Sequence, residues 1–262
     1  MTAPHSVALV ITNSTPIWYT TRATGLVALV LLTAGMSAGL LSSVRFERPR
    51  WPRFVTLGLH RNLTLLALAF TLVHVVTNVL DSFVSIPLQD AFIPFIGTYR
   101  PLWLSFGAIA FDLMLALVIT SLARTRMNLT TWRVVHWSAY ACWPIAVVHG
   151  LGTGTDTPQG WVLALTAACV AVVVILTLRR LALSWPYRPG WTAVGVTGVL
   201  LSVIAGTVWL KSGPLAPHWS TRAGTPTSQA GSAPGTGGSG GTAQDHDSAA
   251  AGNDTAGSST DR

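Results

Sequence analysis

The stretch that decides the fold is LHRNLTLLALAFTLVHV, residues 59–75, read together with WRVVHWSAYACWPIAVVHGLGTGTD, residues 132–156. Each is a run of apolar residues long enough to cross lipid, and each carries two histidines. His60 and His74 lie 14 residues apart, and His136 and His149 lie 13 apart. A histidine in hydrocarbon is costly unless it is partnered, so it marks a functional site by default. A single one is ordinarily a satisfied packing residue. Four, at matched depth on two segments, are a ligand set. The other three histidines, His5, His218 and His246, fall near the termini.

Composition agrees with a membrane setting. Of 262 residues, 50% are hydrophobic and 10% charged, against roughly 25% charged in soluble domains. Such a chain cannot cover a soluble surface with polar groups. Residues 1–17 lack a basic leader and a small-residue cleavage site, so the first apolar segment is expected to stay as a span. The net charge of +7 does not mark a nucleic-acid binder. Its arginines sit in short clusters between apolar segments, where they act as topology signals. Cys142 and Cys169 lie in separate apolar segments with no CxxC, which excludes thiol redox chemistry and iron–sulfur ligation and leaves buried small hydrophobes.

Six apolar segments predict an all-α membrane protein, a six-transmembrane-helix bundle. The spans are Ala23–Val44, Arg61–Asp81, Leu102–Ala123, Thr131–Leu151, Gln159–Leu178 and Gly190–Leu210. Tryptophans 18, 51, 103, 132, 161, 191 and 209 stand near span ends, as an aromatic belt does. Residues 1–17 are expected to be a short external N-terminus and 18–211 the membrane domain. Residues 212–262, rich in Gly, Ser, Thr, Ala and Pro, are expected to form a disordered tail, because they cannot bury enough apolar surface to offset ordering entropy. Arg45, Arg48, Arg50, Arg53, Arg124, Arg126, Arg133, Arg179, Arg180 and Arg188 fall on one set of loops. That side is expected to be cytoplasmic at the plasma membrane, with both termini outside.

Spans two and four then run in the same direction. His60 and His136 fall near the inner face, and His74 and His149 roughly 20 Å deeper at about 1.5 Å per residue. The expected pairs are His60 with His136 and His74 with His149. Two levels so far apart do not make one tetrahedral zinc site; a pair at each level suits two haems with two axial histidines each. Helical phase is favourable in span two, where the histidines are about 40° apart, and unfavourable in span four, where they are about 140° apart. Pro144 lies between the second pair and is the expected place for the helix to depart from α geometry.

The two quoted strings resemble the ferric reductase-like transmembrane domain over roughly residues 17–211. That family includes ferric reductases, the membrane part of NADPH oxidases and the haem subunit of the bacterial methionine sulfoxide reductase system. The resemblance implies that His60, His74, His136 and His149 ligate two b-type haems, inner His60/His136 and outer His74/His149. It implies transmembrane electron transfer, as the haem subunit of an oxidoreductase system. Relatives that carry a flavin and nicotinamide module continue beyond the membrane domain. Here no GxGxxG follows a strand pattern, so the electron source is expected to be a separate redox partner protein, a quinol, or a flavin or quinone brought by a partner. Besides membrane lipid, no other partner class is implied, and no nucleic acid.

Several residues have two readings. Arg61 and Arg133, beside His60 and His136, can pair with haem propionates or serve only topology. Asp112, the one acid well inside a span, can cap a polar cluster or relay a proton. Trp137, Tyr140 and Trp143 can pack against a porphyrin or between helices. Gly35 and Gly39 form a GxxxG that permits close helix approach or makes room for a macrocycle. The glycine-rich GLGTGT, 150–155, leaves a helix rather than opening one and is not a phosphate loop. The alternative function is a non-redox transporter or sensor whose intramembrane histidines bind metal or protons. Such proteins break their helices at mid-membrane and place polar residues there, whereas spans two and four hold mainly Leu, Val and Ala between their histidines.

Overall fold

The computed structural model describes residues 5–43, 53–81 and 86–226, which form helices and connections with no strand among them. The helices are α1 (His5–Ser43), α2 (Arg53–Leu80), α3 (Pro101–Leu122), α4 (Leu129–Trp137), α5 (Ala139–Thr153), α6 (Gly160–Ser184), α7 (Pro189–Ser212) and the short α8 (Trp219–Arg222). An all-helical chain is what lipid demands, because a helix satisfies its own backbone donors and acceptors. Local sequence sets several starts. Pro101 and Pro189 open α3 and α7, where a missing N–H costs nothing. Asn128 caps α4 by accepting the Thr130 N–H at 3.0 Å.

Among the described residues five helices are long and apolar enough to cross a membrane: Pro16–Ser43, Phe54–Leu80, Pro101–Leu122, Gly160–Ser184 and Pro189–Ser212. The expected fourth span, 131–151, is not one continuous helix. It is α4 and α5, nine and fifteen residues, joined at Ser138. There the Ser138 N–H bonds the Val135 carbonyl at 3.0 Å and the Ala141 N–H bonds the Ser138 carbonyl at 2.9 Å. These three-residue bonds tighten the chain locally. Pro144 lies inside α5 and does not break it. The departure from α geometry between the two histidines is therefore real, but it sits six residues before the proline.

The ends of the domain are more helical than the apolar runs alone suggest. α1 starts at His5, ahead of the stretch Pro16–Ser43 that is long and apolar enough to cross a membrane. α2 starts at Arg53, well before Arg61. Exposed Phe54, Leu57 and Leu59 extend its apolar surface in that direction. The segment 213–226, expected in the tail, is folded: α8 and its flanks dock on the ends of α3 and α5. Arg45, Arg48 and Arg50, Trp51 and the tail from residue 227 lie outside the described residues.

α1 is the hub, packing against α2, α5 and α6, while α3 packs on α5. Small residues along α1, among them Ala28, Gly35 and Ala38, allow that approach. One buried cluster joins Leu40 to Trp143, Val147, Leu151, Cys169 and Val173; a second joins Phe111, Met114 and Leu117 to Cys142. Both cysteines are free and buried, as expected. The Trp143 indole N–H donates to Thr33 Oγ1 at 3.0 Å, so the largest polar group of the core is satisfied. The end of the bundle that carries Arg124, Arg126, Arg179 and Arg180 is the near end, and the opposite one the far end.

Candidate cofactor site: two histidine pairs

Each of the four histidines is half-buried, and they meet in two pairs. At the near level the His60 and His136 ring centres are 6.1 Å apart with planes at 78°. At the far level the His74 and His149 ring centres are 6.5 Å apart with planes at 80°. α2 supplies one ring to each level, α4 the second near ring and α5 the second far ring. Among the described residues no three His, Cys, Asp or Glu side chains gather as a metal cluster. The units here are pairs.

Three of the four rings are held in one way. His74 Nδ1 lies 2.7 Å from the Thr21 carbonyl, His60 Nδ1 lies 2.8 Å from the Gly35 carbonyl, and His149 Nδ1 lies 2.9 Å from the Trp103 carbonyl. A carbonyl only accepts, so Nδ1 carries the proton and donates in each case. That leaves Nε2 with a free lone pair, the form that binds a metal. Each accepting carbonyl belongs to the residue four before a glycine: Thr21 and Gly25, Gly35 and Gly39, Trp103 and Gly107. On a helix the residue at i+4 stands over the carbonyl of residue i, and its Cβ would block the approach of a ring. A Cβ at Gly25 would fall 2.9 Å from His74 Cε1, one at Gly39 3.2 Å from His60 Cε1, and one at Gly107 2.5 Å from His149 Cε1. The glycines let imidazoles lie flush against α1 and α3. The GxxxG of α1 thus has a further use, since Gly35 offers the carbonyl and Gly39 the space. Gly25 and Gly107 were not singled out from sequence; the signal was a glycine at the depth of a histidine on a neighbouring span.

His136 is the exception. Its Nδ1 is buried without a hydrogen-bond partner. Its ring instead stacks on Trp132, one turn earlier, with centres 4.8 Å apart and planes at 21°. Trp132 Nε1 and Ser138 Oγ are also buried and unpartnered. The Arg124 guanidinium lies 4.7 Å from the Trp132 ring centre.

The far pair lines a cavity of about 310 Å³ between α1, α2, α3 and α5. Leu29, Leu32 and Met114 wall its deep part, and Arg22, Tyr99 and Asp156 line it toward the far end. Asn78 donates to the His74 carbonyl at 2.8 Å and lies 3.4 Å from Nε2. Thr153 donates to the His149 carbonyl. Asp90, in the connection before α3, also lines the cavity; burial pushes its carboxyl above the ordinary carboxylate range.

Arg61 and Arg133, singled out from sequence, are both exposed on their helices. Arg124, over Trp132, and Arg22, over Trp18, are cations that do approach aromatic rings near the two levels. The Arg22 guanidinium stands 3.9 Å over Trp18 and is paired with Asp156.

Residues 20–147 match the family described as the ferric reductase like transmembrane component. Over these residues, just under half of its length, the chain is similar to the ferric reductase-like transmembrane family. The matched stretch takes in His60, His74 and His136 and stops two residues before His149. Comparison with curated proteins and with solved structures returned no match. The family is a multi-pass membrane family that suggests electron transfer across the bilayer, so the paired histidines and the far cavity are the parts of this ferric reductase-like chain to interpret.

Proposed function

We propose that this chain carries electrons across the plasma membrane through two b-type haems, one held by His60 and His136 and one by His74 and His149. It would act as the haem subunit of a system whose electrons come from a separate redox partner or a quinol. The observation that supports this most is the ring separation. Two imidazoles sharing one metal ion need two bonds of about 2.05 Å, as zinc makes with histidine. Each ring adds a radius of about 1.1 Å, from bonds of about 1.33 Å. The sum, about 6.3 Å, lies between the two separations observed, 6.1 and 6.5 Å. An iron held between each pair would supply a one-electron couple.

The chain's own part is positioning and exclusion. The carbonyls of Thr21, Gly35 and Trp103 fix three imidazoles in the metal-binding tautomer and hold their planes. Gly25, Gly39 and Gly107 keep the ring space open. Leu29, Leu32 and Met114 keep the deep part of the far cavity apolar, which sets a low local dielectric. α4 and α5 together would make the fourth of six crossings, and their joint at Ser138 breaks the phase that would hold His136 and His149 about 140° apart on an ideal helix.

The rival reading, a transporter or sensor with metal- or proton-binding histidines, requires a colourless protein. The proposal requires a red one with two haems per chain by pyridine haemochrome, a low-spin b-type spectrum on reduction, and loss of about one haem in His74→Ala or His149→Ala. Full haem content in all four single histidine variants sinks it. Orientation has its own test: a cysteine in place of Ser239 should react with an impermeant maleimide in intact cells, as the arginine distribution implies.

A further inference from the structure

We propose that the Arg100 guanidinium, buried without a carboxylate partner at the end of the His149 helix, raises the reduction potential of the far haem and so draws the electron toward the far level. This rests on the two-haem reading and adds what orders the two levels. Arg100 is 2% exposed. Arginine keeps its proton at any working pH, so a full charge is buried there. Its Nη1 donates to the Gly152 carbonyl at 3.1 Å and to the Thr153 carbonyl at 2.9 Å, and its Nε donates to Thr225 Oγ1 at 2.8 Å. Each of these acceptors is neutral, and no ion pair among the described residues includes Arg100. A buried arginine is ordinarily paired with an acid. This one keeps its net charge.

The charge sits on the supports of the far pair. Gly152 and Thr153 follow His149 by about one turn, roughly 5 Å along α5. The Arg100 carbonyl accepts the Trp103 N–H at 3.0 Å, and the Trp103 carbonyl in turn accepts from His149 Nδ1. The Arg100 backbone is left-handed, with φ 41°, and its N–H donates to the Gly224 carbonyl at 3.1 Å. A residue with a side chain stays in that region only where its surroundings over-determine it. The guanidinium is therefore fixed and cannot swing out to water. Arg22, Lys211 and Arg222, also toward the far end, are more exposed, so solvent screens them. The C-terminal end of α5 offsets roughly half a unit of charge, and a positive field remains. That field stabilises the reduced haem, which carries one more electron, over the oxidised one. At about 10 Å and an effective dielectric of about 20, a unit charge shifts a one-electron equilibrium on the order of tenfold.

The test is a spectroelectrochemical titration of the purified full-length protein, with the far-level step identified as the one missing from His74→Ala. Arg100→Gln should shift the far-level equilibrium toward the oxidised form about tenfold, a midpoint lower by about 59 mV, and leave the near-level step in place. Arg100→Lys keeps the charge and should hold the far midpoint close to that of the wild type. Thr225 supplies a second route that leaves Arg100 intact. Thr225→Asp sets a carboxylate against the guanidinium and should lower the far midpoint, while Thr225→Asn, of the same size and uncharged, should not move it. An unmoved far midpoint in Arg100→Gln or in Thr225→Asp overturns the proposal. So does an equal drop in Arg100→Lys or Thr225→Asn, which would make Arg100 a packing tie between α3, α5 and the segment after α7. Should Arg100→Gln fail to hold haem, the Thr225 pair decides. Failure of the two-haem reading is separate and visible first, as a colourless wild-type protein.

Discussion

The two histidine levels are built to different standards. At the far level both rings donate Nδ1–H to backbone carbonyls, both rest against glycines, and both face a cavity. At the near level only His60 is held so. His136 leans on Trp132, and its Nδ1 has no partner. A carbonyl on a packed helix fixes a ring in direction and tautomer. A stacked indole fixes only its plane, for about 0.5–1.5 kcal/mol. The far pair is thus preorganised by the backbone of α1 and α3, whereas one half of the near pair depends on its own short helix. A preorganised ligand pair loses less freedom on binding, so the far site should hold its cofactor more tightly.

The largest expected effect is at Gly107. A methyl group there would fall 2.5 Å from His149 Cε1, too close for the ring to stay. Gly107→Ala should lose most of the far-level haem and keep the near one, measured by pyridine haemochrome and the reduced spectrum. Gly150→Ala, which meets nothing within 4 Å on α5, should keep both and controls for helix propensity. Retention of both haems in Gly107→Ala would break the comparison.

Next in size is the segment after α7. Trp219 Nε1–H donates to the Gly152 carbonyl at 3.1 Å, while Arg100 bonds the Gly224 carbonyl through its backbone N–H at 3.1 Å and Thr225 Oγ1 through its side chain at 2.8 Å. Arg100 also donates to the carbonyls of Gly152 and Thr153, the last turn of the His149 helix. Ending the chain after Leu215 removes three of these bonds and the Trp219 ring. It should lower the melting temperature by about 5–10 °C and loosen the far site first. Ending it after Pro226 should change neither. Equal behaviour of the two truncations would show that the docked segment contributes nothing.

The smallest effect should come at the near level. Trp132→Leu removes the stacking partner of His136, and near-level haem affinity should fall several-fold, in line with about 1 kcal/mol. The far-level spectrum should not move. A shift of both spectra together would mean that the levels are coupled and the contrast between them is not local.

What the sequence by itself determined here follows from length, depth and residue type. Apolar runs of about 20 residues dictate helices in lipid. The rise of about 1.5 Å per residue puts His60 level with His136 and His74 level with His149, and the structure brings the rings together in those pairs. Only the tertiary structure decided the rest. A break in a helix depends on which backbone bonds the neighbours let go. Proline predicts it at 144, yet α5 accommodates Pro144 and the chain tightens at Ser138. The use of Gly25, Gly39 and Gly107 depends on which helix stands opposite each imidazole, and no spacing within one span contains that. Trp219 and Thr225 lie in a polar stretch, and only the placing of Gly152 and Arg100 beside them gives them partners, because burial is a property of the partner surface as much as of the residue. Charge behaves likewise. Arg61 and Arg133 are nearest the histidines along the chain, but Arg22 and Arg124 are the ones that stand over Trp18 and Trp132, because neighbours in sequence point to different sides of a helix.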